Sequence, residues 1–303
     1  MVDGRSGPGE RAQSGPPHVR VGATLAVAWL VLGGCARLGA PVPVFERPSG
    51  TLVLAHRGGA LEAPENTLSA LRHAVQAGAH WIEIDVRLTR DGVPVVMHDE
   101  TVDRMTDGVG RIDALTLEEI RRLRLGAPAL DAARAERLVA AGIRLADPAL
   151  DERVPTLDEV LAVPGAHLML ELKRTPASDA LARAVVERVH AARAGGRVAV
   201  ASFEPRILDA VHDLDPALPL IGIAADATSL AAHLQRPVAV AAVRTDLVRR
   251  AVEVVPAGVA VWVWTVELPT EAHALAERGV DGVITDAPAA VLKGLGRRTV
   301  EAR

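Results

Sequence analysis

The chain has 303 residues, is 49% hydrophobic and carries a formal charge of -4, which suffices for one large core and excludes the basic face that nucleic-acid binding needs. Aromatics make up 2% of the residues and tyrosine is absent, so no stacking platform for single strands can be assembled. The single cysteine excludes an intramolecular disulfide and a cysteine-based zinc site.

Residues 1–20 are rich in Gly, Pro and Arg and read as a disordered leader. The uncharged apolar run 21–34 follows Arg11, His18 and Arg20; it is short for a membrane span and suits the core of a secretory signal. Leu32-Gly33-Gly34-Cys35 resembles the bacterial lipobox, which implies a lipid on Cys35 and a membrane anchor on the outer side of the membrane. A free thiol in an ordinary or uncleaved signal is the alternative. Residues 1–34 are therefore expected to be a lipoprotein-type secretory signal, and 35–50, with its prolines and glycines, a tether.

From Thr51 onward short apolar runs alternate with helical patterns, as parallel βα units require. Strands are expected at 52–55, 81–86, 167–172, 197–201, 219–223, 238–242, 259–264 and 281–284, the number that closes a (β/α)8 barrel over 51–295. Asn66 is expected to cap a helix over 67–77 that ends at Gly78, and Thr156 to cap the helix starting at Leu157. Further helices are expected at 178–194 and 270–278. Asp91-Gly92 is a hairpin signal, so 93–97 reads as a return arm from strand 81–86 that brings His98 near the level of Asp85. Residues 103–153 are too irregular for the barrel and read as an inserted lobe over its mouth.

The strands Trp81-Ile82-Glu83-Ile84-Asp85-Val86 and Leu168-Met169-Leu170-Glu171-Leu172-Lys173 carry charges at alternate positions among apolar residues. Residues two apart share a face, and carboxylates facing an apolar core cannot stay unpaired. Glu83, Asp85 and Glu171 at strand ends suit a hard divalent cation, Ca²⁺ or Mg²⁺. Arg57 can grip a phosphodiester through two parallel hydrogen bonds, and Lys173 adds a second positive charge. His56 and His98 titrate near neutral pH, so one can take a proton while the other donates one.

His56-Arg57-Gly58, Pro64-Glu65-Asn66-Thr67, Glu83-Ile84-Asp85, Thr89-Arg90-Asp91-Gly92, His98-Asp99, Glu171-Leu172-Lys173, Trp264-Thr265-Val266 and Thr285-Asp286, in this order over residues 51–293, resemble the glycerophosphodiester phosphodiesterase family. The resemblance implies a TIM barrel that hydrolyses glycerophosphodiesters to glycerol 3-phosphate and an alcohol with a divalent cation. It implies Glu83, Asp85 and Glu171 as metal ligands, His56 and His98 as the acid–base pair, Arg57 and Lys173 at the phosphate, and Trp264 along the glycerol or leaving-group side. A cyclic phosphate formed by the substrate's own neighbouring hydroxyl is the mechanism such relatives imply. Glu267 stands where an asparagine often follows, and Arg90 where lysine is usual.

Two other activities use the same residues: a phospholipase D-like cleavage of lysophospholipids or sphingolipids, favoured by apolar lobe residues at the mouth, and non-catalytic binding of phosphodiesters by a lipoprotein. Binding alone needs no proton relay, so the two histidines favour an enzyme. Glu65 is expected either to position other groups or to bond backbone amides. Asp286 is expected to cap the final helix or line the site, Trp262 and Trp264 to face opposite sides of their strand, and the eight remaining histidines to lie on the surface. No protein partner is inferred.

Overall fold

The computed structural model describes residues 50–126, 130–146 and 152–296; the leader, the signal run, the tether up to Ser49 and Cys35 lie outside the described residues. Its strands are β1 (Leu52–Ala55), β2 (Trp81–Leu88), β3 (Pro94–Val96), β4 (Leu168–Leu172), β5 (Val198–Ser202), β6 (Leu220–Ala224), β7 (Val238–Arg244), β8 (Ala260–Val266) and β9 (Gly282–Thr285). They run in the order β1-β9-β8-β7-β6-β5-β4-β2-β3, and a second parallel pairing of β1 with β2 closes the ring. All but β3 are parallel, so the ring is a (β/α)8 barrel, and β3 hangs on its outside as the antiparallel arm of the β2 hairpin. Each expected strand is present, and 93–97 forms the expected return arm.

The helices follow as α1 (Leu68–Ala77), α2 (Leu117–Arg121), α3 (Ala132–Ala140), α4 (Leu157–Leu161), α5 (Ser178–Ala191), α6 (Pro205–Leu214), α7 (Ala227–His233), α8 (Val248–Val254), α9 (Pro269–Glu277) and α10 (Pro288–Gly294). Strand alternation divides the core. Leu52, Leu54, Trp81, Met169, Ile221, Ile223, Trp262 and Ile284 point inward and fill the barrel. Their neighbours Ile82, Ile84, Leu168, Leu170 and Val200 point outward under Leu71, Leu157, Val185 and Val189 of the surrounding helices.

The described residues of 103–153 contribute to two small cores. Met97, Val102, Met105, Ile112, Ile120 and Leu125 pack on Val95 of β3, while Leu138 and Ile143 pack on Leu61 and Ala287 at the end of the barrel.

Three local expectations are corrected. Thr67, whose hydroxyl accepts from the Ala70 N–H, caps α1; Asn66 instead adopts φ 60° and turns its amide to Asp85. Trp262 and Trp264 share the inward face, as a period of two demands: Trp262 is buried in the barrel and Trp264 packs on the same cluster. Of the eight other histidines, His233 is fully buried with Nε2 bonded to the Ile223 carbonyl at 3.1 Å, and His80 Nδ1 accepts from the Val53 N–H at 3.0 Å.

Gly282 is where the buried indole meets the backbone, since a Cβ there would lie 2.7 Å from Trp262 Cδ1. Gly282→Ala, which adds strand propensity, is therefore expected to lower stability by about 1–3 kcal/mol through overpacking. Urea denaturation checks this; unchanged or increased stability would contradict the packing.

Candidate active site

β2 and β4 set the acidic groups. Trp81, Glu83 and Asp85 share the inward face of β2, and Met169 and Glu171 that of β4. Parallel pairing places Glu83 opposite Met169 and Asp85 opposite Glu171, so the carboxylates stack above the Trp81–Met169 floor. Glu83, Asp85 and Glu171 are 1%, 0% and 6% exposed, and one oxygen of each lies within 4.8 Å of the others.

Like charges this close, out of water, need compensation. Lys173 Nζ lies 2.7 Å from Asp85 Oδ1 and pairs also with Glu171. The Arg57 backbone N–H donates to Glu83 Oε2 at 2.8 Å, and Arg57 Nε sits 3.5 Å from Asp85 Oδ2. Asn66 Nδ2 donates to Asp85 Oδ2 at 2.7 Å and its Oδ1 accepts from the Asp85 N–H at 3.1 Å. Arg57 and Asn66 both hold left-handed backbone, at φ 52° and 60°, a strain that persists only where the surroundings over-determine it. Gly58 follows at φ 83°, and a Cβ there would come within 2.6 Å of Ala70 Cβ, so the turn requires glycine.

The compensation is incomplete. Burial and then the Asp85 charge push Glu83 up to about 8, and burial also raises Glu171. Asp85 goes the other way: burial opposes ionisation, but Lys173 and Arg57 outweigh it and hold the carboxyl well below the usual range. Glu83 Oε1 is buried with no hydrogen-bond partner among the described residues. A buried orphan oxygen is costly, and three convergent carboxylate oxygens are the donor set of a hard cation. The triad therefore has the chemistry and spacing to hold a divalent metal.

Each predicted histidine stands beside an aspartate. His56, just beyond β1, has Nδ1 2.6 Å from Asp286 Oδ1 and Nε2 3.8 Å from Glu83 Oε2. Burial alone would lower it, but Asp286 and Glu83 outweigh burial and raise it to about 9. His98 Nδ1 lies 2.7 Å from Asp99 Oδ1, and the His98 carbonyl accepts from Arg87 Nε and Nη2 at 2.9 and 2.7 Å. Met97 N–H bonds the Asp85 carbonyl at 3.0 Å, which carries the return arm to the level of the acids. Burial lowers the His98 pKa, with Lys173 and Arg57 adding to the effect against the pull of Asp85 and Asp99. When each Nδ1–H donates to its aspartate, Nε2 is left for other partners.

His56, Arg57, Glu83, His98, Glu171, Lys173 and Trp264 together line one pocket of about 120 Å³. Trp264 meets Phe203 edge to face at 5.5 Å on its far wall. Glu65 lies beside this pocket, accepting from Arg57 Nη1 at 3.1 Å and from Arg104 Nη2 at 2.7 Å. Arg104 Nε also donates to Asp99 Oδ2 at 2.5 Å. Glu267 pairs with Arg134 of α3 and does not line the pocket.

Sequence reasoning left Asp286 undecided and gave Asp99, Asn66 and Arg104 no part in the site. Asp286 was within reach: β1 and β9 are neighbours once the barrel closes, Ala55 pairs with Thr285, and His56 and Asp286 are the next residues along each strand. Arg104 carried no signal, because its placement depends on how the lobe folds.

Comparison with known proteins agrees with the geometry. The model of the glycerophosphoryl diester phosphodiesterase family matches residues 56–290. A glycerophosphodiester phosphodiesterase of Caldanaerobacter subterraneus subsp. tengcongensis is 33% identical over 251 residues, covering 78% of this chain and 95% of the relative. Human glycerophosphodiester phosphodiesterase 1 is 48% identical over 109 residues, 36% of this chain, and the match spans only 29% of the human protein's length. The structure of an Oleispira antarctica phosphodiesterase in complex with the product sn-glycerol-3-phosphate superposes with a TM-score of 0.68 at 27% identity, covering 82% of this chain and 97% of that one. Because the family match takes in both histidines and all three carboxylates, the chain belongs to the glycerophosphoryl diester phosphodiesterase family, a family of phosphoric diester hydrolases.

Proposed function

We propose that the protein hydrolyses glycerophosphodiesters to glycerol 3-phosphate and an alcohol, with Glu83, Asp85 and Glu171 holding Mg²⁺ or Ca²⁺ and His56 and His98 moving the protons. The observation that carries this reading is the pair of histidines, each buttressed by an aspartate, beside a buried acidic triad with an orphan oxygen. The bound cation supplies charge stabilisation at the phosphoryl oxygens.

Arg57 and Lys173 counter the remaining negative charge of the phosphodiester and its transition state. His98, lowered by burial and by the nearby Lys173 and Arg57, takes the proton of the glycerol 2-hydroxyl as that oxygen attacks phosphorus. His56, flanked by Asp286 and Glu83, is kept protonated and gives its Nε2 proton to the alcohol oxygen as the P–O bond breaks. Water then opens the cyclic phosphate with the two roles exchanged. Asp286 and Asp99 position the imidazoles, and Glu65 positions Arg57. Trp264 packs along the glycerol.

His56→Ala and His98→Ala are each expected to lower kcat by roughly 10²–10⁴-fold. Asp286→Asn should lower kcat while leaving the fold intact, and should move the alkaline limb of the pH profile to lower pH because His56 loses the charge that raises it. Hydrolysis of glycerophosphocholine with either cation checks this; His56→Ala with wild-type activity would overturn the assignment.

Stability of the metal-free protein offers a separate test. His56 sits at about 9, above its usual 6.5, so its contribution is full below 6.5 and is lost as pH rises through 9. Glu83 sits at about 8, above its usual 4.5, so its ionisation cost grows above 4.5 until the group is fully charged beyond 8. From pH 7 to about 8 both groups, and from about 8 to 9 His56 alone, bind more protons folded than unfolded, so stability falls as pH rises from 7 to 9. A cation takes the place of the Glu83 proton, so Mg²⁺ or Ca²⁺ should raise Tm more at pH 9 than at pH 7. A metal-free Tm that is flat over this range and insensitive to both cations would sink the metal site.

The same proposal extends to location. Residues 1–34 act as a lipoprotein-type secretory signal, Cys35 takes the lipid, 35–50 tether the barrel domain at 51–295, and the enzyme works on the outer side of the membrane. The support is Leu32-Gly33-Gly34-Cys35 after an uncharged apolar run. Labelled palmitate should enter the wild type and not Cys35→Ser; label persisting in the variant overturns the anchor.

A further inference from the structure

A second cavity, of about 470 Å³, opens on the other side of His56 and Arg57, which line both it and the 120 Å³ catalytic pocket. Its volume is that of a small-molecule site, whereas the inner pocket falls well below that range and has space for little more than a phosphate and a three-carbon fragment. We propose that this outer cavity seats the leaving alcohol and selects glycerophosphodiesters whose alcohol is aliphatic. The proposal rests on the phosphodiesterase reading above and adds the class of alcohol to it.

The first support is charge. Every ionisable side chain lining the outer cavity already has an opposite partner within the protein. His56 is 2.6 Å from Asp286, Arg57 is 3.1 Å from Glu65, and Arg104 is 2.7 Å from Glu65, while Arg134 pairs with Glu267. A cationic alcohol such as choline would have to compete with an arginine for each carboxylate. Nor does the cavity offer an aromatic face to a quaternary ammonium, for Phe203 and Trp264 line the inner pocket instead.

The second support is what remains. Leu61, Met105, Leu130 and Leu145 line the outer cavity, and burial of an aliphatic chain against them is favourable in proportion to the apolar area removed from water. Met105, Leu130 and Leu145 belong to the inserted segment, so three of these four apolar residues come from the part of the chain that is not barrel.

The third support is the direction of proton flow. His56 borders both cavities, whereas His98 borders the inner pocket and not the outer one. An alcohol departing into the outer cavity leaves past His56, so His56 and not His98 is the imidazole beside its path. A glycerol held inside presents its 2-hydroxyl to His98.

The test is a series of glycerophosphoryl n-alkyl esters (ethyl, butyl and hexyl) together with glycerophosphocholine, assayed with Mg²⁺ or Ca²⁺. The expected result is a kcat/KM that climbs with chain length, at least tenfold higher for hexyl than for ethyl, with glycerophosphocholine below hexyl. In the double variant Leu130→Asp, Leu145→Asp the hexyl-to-ethyl ratio should collapse toward one, with circular dichroism and Tm reporting that the barrel is intact. Equal kcat/KM for ethyl and hexyl, a preference for glycerophosphocholine, or a chain-length preference that survives in the folded double variant overturns the apolar subsite and leaves the phosphodiesterase reading standing. Hydrolysis of none of the four esters overturns both.

Discussion

Three carboxylates buried within 4.8 Å of one another at the top of the barrel are the constraint around which the rest of the site is arranged. Desolvation and mutual repulsion both disfavour three charges there. The barrel can hold them because closed parallel strands fix both register and facing, so Glu83, Asp85 and Glu171 have no alternative direction to take. Lys173 just beyond β4, the left-handed Arg57 and the left-handed Asn66 all answer to that charge, two of them at the cost of backbone strain. Among the described residues Glu83 Oε1 is still left without a hydrogen-bond donor, and a cation held by the triad would answer that as well.

The same charge separates the two histidines. His56 looks toward Asp286 and Glu83, which raise it against the effect of burial. His98 is lowered by burial, with Lys173 and Arg57 adding to it against Asp85 and Asp99, the latter shared with Arg104. One ring type thus becomes two groups shifted in opposite directions, which suits the acid and base roles proposed for them.

What could be read from the sequence followed from period and order. Alternation in 81–86 and 168–172 identifies the carboxylate face, apolar runs separated by helical patterns identify the strands, and Asp91-Gly92 identifies the hairpin that returns His98. Some failures came from contacts that no local pattern encodes, and others from local patterns misread. Asp286 meets His56 only because β9 lies beside β1, a neighbour relation that appears when the ring closes. Asn66 looked like a helix cap because short polar residues before a helix usually are, and Thr67 next to it does that work. Placing Trp262 and Trp264 on opposite faces misapplied the period-two rule that had placed Glu83 and Asp85 correctly. His233 was unpredictable in a different way, since its burial depends on packing between α7 and β6.

The division of labour between barrel and insertion is not clean. The barrel fixes the acids, His56 and Lys173 through strand register, and the insertion has its own small cores, so its surface could vary without disturbing the ring. Yet Arg104 of the insertion bonds Glu65 and Asp99 at once, and through them touches Arg57 and His98. The outer cavity and the proton relay therefore share a wall. On the proposed reading, a change of lobe that altered the alcohol subsite by moving Arg104 would also change the Asp99 partner of His98, which would tie selectivity to rate through one guanidinium.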